Sequence, residues 1–586
     1  MQPVDYTTLR ALAAELRVRC IPSRLEQVYQ LDRTHLAIAL RTIERRSWLH
    51  VCWHSQAAHV AIGAAPPKGP DTFTFSDQLR HQLKGLALVE IAEIAPWERV
   101  LDFRFSRRPG DAIVWHLYVE VMGKYSNAIL VDRDDAIVTA AHQVSSQQSS
   151  VRPIQTGKPY EIPPVLTSPM PSKAEDFERW RDRVALVPDT LRRNLTQTYR
   201  GVSSSLAQTL AIAADLDPKA STETLTPEDW RRLFATWQRW IDRLDSEQFA
   251  PRETEAGYTV LGDFVGGDAE PKSASQNGDD RSANALVFEY YRERLDRQSF
   301  DRVRHQLGQK VANALKKLGV KRDGFVKRLS ESDGADIHRQ RADLLMAHLH
   351  EWEPGMKAIE LSDFETGEPV KIALNPEHNA VINAQRLYKK HQKLKRARDA
   401  VQPLLDEVTD EIDYLERVDA AIATIDRYRE AADLETLEDI RDELIEQGYI
   451  PAPQHHARPN RKDDNFHRFR APSGHEILIG RNNRQNDRLT FRVANDYDLW
   501  FHTQEIPGSH VLLRLEPGTV PDSADMQFVA NLAARYSRAR QSELVPVIYT
   551  EPRHVYKPKG AKPGTAIYKH EQVIWGQPQQ VDLASP

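Results

Sequence analysis

Three short runs near the end of the chain hold the residue types that could do chemistry. The first, Gly480-Arg481-Asn482-Asn483-Arg484-Gln485-Asn486-Asp487, sets a turn glycine, two arginines and four side-chain amides between strand-like runs. A guanidinium forks onto phosphate oxygens, and an amide offers both a donor and an acceptor to a base edge or sugar, so Arg481, Arg484 and Asn486 suit contact with RNA. The same run also reads as an Asn-rich surface turn. The second run, Asp498 to Val511, carries Trp500, Phe501 and His502 ahead of a Pro507-Gly508 turn that exposes Ser509 and His510. Its rings could stack on bases, although Trp500 fits a core position equally well. Asp498, two histidines and a serine within a dozen residues also invite a hydrolase reading, but no GxSxG nucleophile elbow is present. The third, Tyr556 to Gly564, is basic through Lys557, Lys559 and Lys562 and stiffened by proline, which suits tracking of a phosphate backbone.

The elements that must position these runs come from a long chain. At 586 residues, 40% hydrophobic and 28% charged, it exceeds one hydrophobic core, and three or four domains are expected. Cys20 and Cys52 are the only cysteines, which points to a reducing compartment. No Cys/His cluster has zinc-ligand spacing, His455-His456 standing alone, so neither metal nor cofactor is expected. The first twenty residues lack an uninterrupted apolar stretch, and nowhere do about eighteen apolar residues run together, so a soluble, cytoplasmic protein is expected, with no membrane contact. Net charge is only −5, yet Pro451 to His570 hold 18 Lys and Arg against 12 Asp and Glu. A basic C-terminal module on an acidic body is compatible with a nucleic-acid partner.

Periodicity divides the chain. Leu9, Leu12, Ala13 and Leu16 keep helical spacing over Tyr6 to Leu16, and strand-like runs follow at 35–40, 48–53, 59–62, 114–122 and 127–132, an α+β pattern. Proline and serine crowd Ser145 to Lys173, which reads as a linker. The pattern from Ala174 to Arg243 is helical, with Trp180, Trp230, Trp237 and Trp240 as core residues, and Gly201 to Ala207 reads as a tight turn opening a helix. Gly262 to Ser282 is poor in apolar residues and reads as mobile. Two heptad runs come next, Phe300 to Leu329 and Leu387 to Ile425, the second interrupted by Pro403. Between them 356–374 alternates like a hairpin turning near Thr366-Gly367. An antiparallel helix pair with a small β tip accounts for this, fifty helical residues reaching roughly 75 Å; a helical bundle packed on the body is the competing arrangement. The last module combines strand-like runs, EILIG, RLTFRV, HVLLRL, VPVIYT and TAIYK, with a helix over Ser523 to Ser542.

The three C-terminal runs together resemble the RNA-binding module of the NFACT family, and the resemblance extends through nearly all 586 residues. Arg24 to Gln30 resembles the family's opening, and Glu120-Val121-Met122-Gly123-Lys124-Tyr125-Ser126-Asn127 its Glu-Ile-Met-Gly strand and turn. Gly201 to Ala207 resembles its helix-hairpin-helix turn, Asn383 to Lys390 the start of its second coiled-coil helix, and Glu446 to Ile450 that helix's end. The resemblance implies an α+β multidomain protein. Its parts would be a glycosylase-like NFACT-N domain over 1–170, a helix-hairpin-helix domain over 171–261, a flexible linker over 262–283, an antiparallel coiled coil over 284–450 with its β tip at about 351–377, and an α+β NFACT-R RNA-binding domain over 455–575.

By the same resemblance the protein would be a ribosome quality control factor. It would bind the large ribosomal subunit carrying obstructed peptidyl-tRNA and recruit tRNA, alanine tRNA above all, for template-free alanine tailing. It would act as a monomer on the ribosome, as a positioning factor and not an enzyme, with no catalytic residue. The family's acid–arginine pair, implicated in tRNA recruitment, falls on Glu98-Arg99, with Glu98 replacing the usual Asp. Glu120 and Met122 match a second tRNA-associated run, and Asp5 an N-terminal acidic position. Ser203 stands where DNA-binding hairpins often have a second glycine. Two other readings attach to the family: RNA binding without tailing, and a fibronectin-binding surface adhesin. A glycosylase is disfavoured, since residue 2 is Gln, Pro3 is internal and no zinc finger follows.

Overall fold

Asp5 starts the first helix by accepting a hydrogen bond from the Thr8 amide at 2.8 Å, and α1 (Tyr6–Cys20) then buries Leu9, Leu12, Ala13 and Leu16 as their spacing predicts. The computed structural model describes residues 1–67, 71–149, 151–164, 167–254, 257–264, 282–452 and 465–581. The chain divides into two compact units, Met1–Asp296 and Arg297 onward.

In the first unit, nine antiparallel strands follow α1: β1 (Ser23–Asp32), β2 (His35–Arg41), β3 (Arg46–Cys52), β4 (His59–Gly63), β5 (Ala87–Glu93), β6 (Val100–Ser106), β7 (Ile113–Glu120), β8 (Asn127–Asp132) and β9 (Ile137–Ala140). The sheet order is β4-β3-β2-β1-β5-β6-β7-β8-β9, two meanders joined where Ser23 and Arg24 of β1 pair with Leu88 and Ala87 of β5. A helix, α2 (Thr74–Leu83), connects them. The five strands read from alternation are all present. Strands β1, β5, β6 and β9 escaped that reading; in β1 and β5 bulges at Leu25/Gln27, Gln30/Asp32 and Leu88/Glu90 reset the alternation.

One face of β6 and β7 buries Leu101, Phe103, Phe105, Leu117 and Val119 in the main core. The other face is covered by the segment expected to be a linker. Val144 pairs with Ile154 in an antiparallel bridge, Ile154 joins Val100, Tyr118 and Ile129 in a second core, and the Tyr160 ring stacks on Tyr118 at 4.0 Å. A few apolar and aromatic side chains among the prolines suffice to dock this stretch. Four helices follow, α3 (Phe177–Val184), α4 (Leu191–Thr198), α5 (Ser204–Ala213) and α6 (Pro227–Ser246), and the four expected tryptophans are buried among them. A ribbon of β10 (Arg252–Thr254) and β11 (Gly257–Thr259) comes next. Residues 265–281 of the expected linker lie outside the described residues.

The helix α7 (Ala283–Ser332) begins in the first unit and runs into the second. There it meets α8 (Ala335–Ala347), the hairpin β12 (Ala358–Ser362) and β13 (Pro369–Ala373), and α9 (Ala380–Thr424). Phe325 packs with Val408 and Ile412 along the antiparallel seam. Pro403 does not end α9; its side chain lies on the exposed side. Toward the base a third helix, α10 (Ala431–Glu446), adds Leu437, Ile440 and Leu444 to Phe300, Leu307, Tyr414 and Leu415. Coiled coil and bundle thus occupy successive levels of one arm.

The C-terminal module has a six-stranded sheet of β14 (His467–Arg470), β15 (Glu476–Ile479), β16 (Leu499–Thr503), β17 (Val511–Leu513), β18 (Val545–Thr550) and β21 (Gln572–Gly576), ordered β14-β15-β17-β16-β18-β21. A ribbon of β19 (Val555–Tyr556) and β20 (Ile567–Tyr568) lies apart from it. Helix α12 (Ser523–Arg535) ends earlier than Ser542. The run RLTFRV is not a strand: the Asn482 carboxamide accepts from the Gln485 amide at 2.9 Å, α11 (Asn483–Arg488) starts there, and a wider helical turn continues over Leu489–Val493. A side-chain cap overrides the alternating pattern.

Candidate nucleic-acid interface

Between β5 and β6 the chain turns through Trp97, which adopts a left-handed φ of 64°. Its indole packs against Tyr6 at 4.6 Å and Trp240 at 5.7 Å between ring centres. Gly201, at the hairpin before α5, lies beneath it. Its φ is +77°, and a Cβ there would fall 2.6 Å from Trp97 Cε3, so any other residue is penalised twice, by backbone strain and by overpacking. Ser203 caps α5 through the Leu206 amide at 3.0 Å and donates its hydroxyl proton to Asp5 Oδ2 at 2.5 Å. Asp5 therefore holds two helix starts together with its two oxygens. A serine in place of the second glycine has become a strut.

The turn carries Glu98 and Arg99 into this setting. Glu98 is 8% exposed, and its Oε1 lies 3.6 Å from the Arg200 guanidinium without a hydrogen-bond partner. Burial pushes its carboxyl above the ordinary range, while Arg200 and Arg99 oppose that rise. Arg99 is half-buried. Its Nη1 donates to the Val4 carbonyl at 3.3 Å, and among the described residues no carboxylate lies within ion-pair distance of it. The Arg99 carbonyl accepts from the Val121 amide at 2.9 Å, which ties the turn to the end of β7. There Met122 donates its amide to Ser126 Oγ at 2.8 Å.

Asp5, Glu98, Arg99 and Met122 thus gather at one end of the sheet. Glu120 points elsewhere. Its side chain is fully buried on the second core, gripped by Arg152 Nη1 at 3.0 Å and Nη2 at 2.5 Å and by the Tyr160 hydroxyl at 2.9 Å. Expected as a tRNA contact, it has no oxygen left for a ligand, because the supposed linker supplies an arginine and a tyrosine to it. Asp5 is likewise occupied inside the protein. Alternation and spacing could not have found Arg152 and Tyr160, which sit in a proline-rich stretch, or the pairing of Arg200 with Glu98.

In the C-terminal module most of the expected contacts are also engaged. Gly480 is required, since a Cβ would meet Asn486 Oδ1 at 2.1 Å; that oxygen accepts from the His510 amide at 3.1 Å. Arg481 is 8% exposed and donates to Glu430 at 2.8 Å and Asp433 at 3.5 Å, both at the start of α10. Arg484 pairs with Glu446 at the other end of that helix, and Lys557 pairs with Asp487 at 2.5 Å. The Lys562 ammonium donates to the Tyr449 hydroxyl at 2.9 Å and lies 4.8 Å from the Tyr414 ring centre. Trp500 is 1% exposed and donates Nε1 to Thr490 Oγ1 at 3.0 Å, so it is core and offers no face to a base. His510 Nδ1 meets the same hydroxyl at 2.7 Å. Burial holds His502 down to about 4 and His510 well below the ordinary imidazole value. Ser509 is half-buried, its amide donating to the Tyr536 carbonyl at 2.9 Å. Lys559 stays exposed. The hydrolase reading fails on geometry, because Asp498 pairs with Arg514 at 3.1 Å and with the Leu515 amide, not with a histidine.

The chain matches the family model for NFACT N-terminal and middle domains over residues 5–463 and the one for the NFACT protein RNA binding domain over 465–570. It is 30% identical over 588 residues to a Streptococcus suis protein named Rqc2 homolog RqcH, covering 99% of each chain. A Bacillus subtilis protein of the same name is 29% identical over 578 residues, covering 96% of each. Among solved structures, the C-terminal part of the fibronectin/fibrinogen-binding protein from Streptococcus suis is 31% identical, covering 48% of this chain and 96% of that one, with a TM-score of 0.38.

Proposed function

This chain belongs to the NFACT family, and from that premise we propose that it serves ribosome quality control by binding the large ribosomal subunit with obstructed peptidyl-tRNA and recruiting alanyl-tRNA for template-free C-terminal tailing. The observation that carries the tRNA role is Arg99. Its turn is pinned by Trp97, Gly201 and the Val121 amide, while its guanidinium has only a carbonyl as hydrogen-bond partner. A fixed, half-buried fork with unused donors can take a phosphate or the Hoogsteen edge of a guanine bidentately, worth about 1–3 kcal/mol in discrimination. Glu98 and Asp5 then act as positioning residues, one balancing Arg200 and the other joining two helix starts. Peptide transfer is left to the ribosome; the protein's part is orientation.

The test is to purify the full chain from its own cells and sequence the RNA that comes with it. Large-subunit rRNA together with an enriched alanine tRNA is expected. Arg99→Ala should abolish C-terminal tailing, read by mass spectrometry of stalled reporters, and retain subunit binding. Large subunits without any enriched tRNA would instead mark an RNA-binding protein without tailing activity, and tailing that survives Arg99→Ala would unseat the assignment of that residue.

A further inference from the structure

Within the second unit, a small cavity separates the end of α9 from the C-terminal module. Its wall includes Arg417 on α9, Arg481 and Asn482 before α11, Ser509 before β17, and Tyr536 after α12. The space is about 10 Å³, room for one body the size of a water molecule. Three of these residues carry a buried nitrogen donor with no hydrogen-bond partner: Arg417 Nε, Arg481 Nε and Asn482 Nδ2. Asn482 is 2% exposed and Arg481 8%. The Asn482 carboxamide is held in its orientation, because its oxygen accepts from the Gln485 amide at 2.9 Å, so its nitrogen stays a donor. Among the described residues, no side chain lining the cavity has a buried acceptor left unpaired.

The charges around the cavity lean the same way as the donors. Arg481 is compensated by Glu430 and Asp433. Arg417 is not: its Nη2 donates to the Thr565 hydroxyl at 3.0 Å, and among the described residues no carboxylate lies within 4.0 Å of it. Two carboxylates that act on it from farther away are already spent, Asp487 on Lys557 and Glu443 on the Tyr414 hydroxyl and the Asn483 amide. Burial pushes the Arg417 guanidinium below its ordinary value, and those carboxylates only oppose the fall. A water molecule answers this setting poorly. It accepts two hydrogen bonds and brings two protons, which would face three donors and two guanidiniums. An anion accepts from all three donors and supplies the missing negative charge.

We propose that this cavity is a binding site for one monatomic anion, a halide such as chloride, held by Arg417, Arg481 and Asn482. The ion ties α9 to the turn into α11 and so fastens the C-terminal module to the base of the arm. A polyatomic anion such as phosphate is too large for the space, which separates the site from any contact with nucleic acid.

The experiment uses the full chain at constant ionic strength, with sodium chloride replacing sodium gluconate, whose anion cannot enter the cavity. The melting temperature should rise by about 2–4 °C and then saturate. A rise that never saturates is a general salt effect on burial, and that outcome, like no rise at all, overturns the site. Bromide should act as chloride does, and in crystals of the full chain grown with bromide its anomalous scattering should mark the cavity. A water found there instead overturns the proposal. Asn482→Asp keeps the oxygen that accepts from Gln485 and puts its own negative charge into the space, so this variant should melt at the same temperature in either salt. Arg417→Met should raise the chloride concentration for half the effect by at least about tenfold. Variants that both respond to chloride as the parent does would overturn the assignment.

Discussion

Replacing Arg152 by Ala asks whether Glu120 is a ligand contact or an internal strut. The Glu120 side chain has no exposed surface and that of Arg152 only 12%, so solvent screening gives little relief to a carboxylate that loses its partner. Breaking a buried ion pair from one side costs about 3–5 kcal/mol, because the charge left behind is uncompensated. The Arg152 guanidinium also lies over the Tyr160 ring at 5.2 Å, and its loss loosens the stack of Tyr160 on Tyr118 that closes the second core. Arg152→Ala is therefore expected to destabilise the first unit by about 3–5 kcal/mol. The double variant Glu120→Leu with Arg152→Met, which removes both charges, should recover most of that. Urea unfolding followed by tryptophan fluorescence reads the difference. A single variant within about 0.5 kcal/mol of the parent, or a double variant no better than the single, would refute the reasoning. The corollary concerns function: Glu120→Gln should retain tRNA binding under conditions where it stays folded.

Three more expectations follow from the same geometry. Gly201→Ala adds the left-handed penalty of about 1–2 kcal/mol to overpacking of about 1–3 kcal/mol against Trp97, whereas Gly157→Ala, with φ +81° and open space, should cost only the first; equal melting temperatures would contradict this. The half-buried His35, held down to about 3, and the buried His50, to about 4, are neutral in the fold and regain the ordinary value of 6.5 when unfolded. The unfolded state then binds more protons, so stability is full above pH 6.5 and falls as pH drops toward 4, by up to about 2 kcal/mol per histidine at pH 5; a flat stability profile from pH 7 to 5 would rule it out. Finally, Arg481→Ala should loosen the attachment of the C-terminal module to α10, seen as faster proteolysis, while Lys559→Ala should reduce the salt slope of RNA binding by about one without changing stability; the reverse pattern would return Arg481 to the RNA surface.

Much of the architecture could be read in advance because it rests on periodicity. The helix-pair arm with its β tip, the four tryptophans and the five alternating strands repeat their apolar residues at the spacing that burial imposes. What could not be read depends on single residues acting across long separations. Bulges hid β1 and β5, and one capping asparagine turned RLTFRV into helix. The stretch containing Arg152 and Tyr160 looked like a linker because composition dominated four or five docking side chains. For the candidate site, residue types indicated where charged and aromatic groups lie but not which way they face. Arg481 and Trp500 have the chemistry for RNA, yet one is spent on Glu430 and Asp433 and the other on the core. Arginine forks onto carboxylate as readily as onto phosphate, and only the fold decides between them.

That ambiguity bears on how the turn at Arg99 would select its ligand. Two carboxylates, Asp5 and Glu98, and two guanidiniums, Arg99 and Arg200, meet there within one buried end of the sheet. Asp5 is satisfied by hydrogen bonds, but Glu98 keeps an orphan oxygen and depends on the two arginines for compensation. A glutamate is longer than aspartate by one carbon–carbon bond, about 1.5 Å, and here the carboxylate comes within 3.6 Å of Arg200 on the hairpin. A phosphate that takes Arg99 draws compensation away from Glu98 and meets its negative charge, so charge alone binds poorly. The orphan oxygen is closed off from solvent, so a ligand cannot satisfy it from outside. On the proposed reading, the acid beside the arginine makes the turn weak for RNA in general, and Arg200 alone must compensate Glu98 once Arg99 is taken.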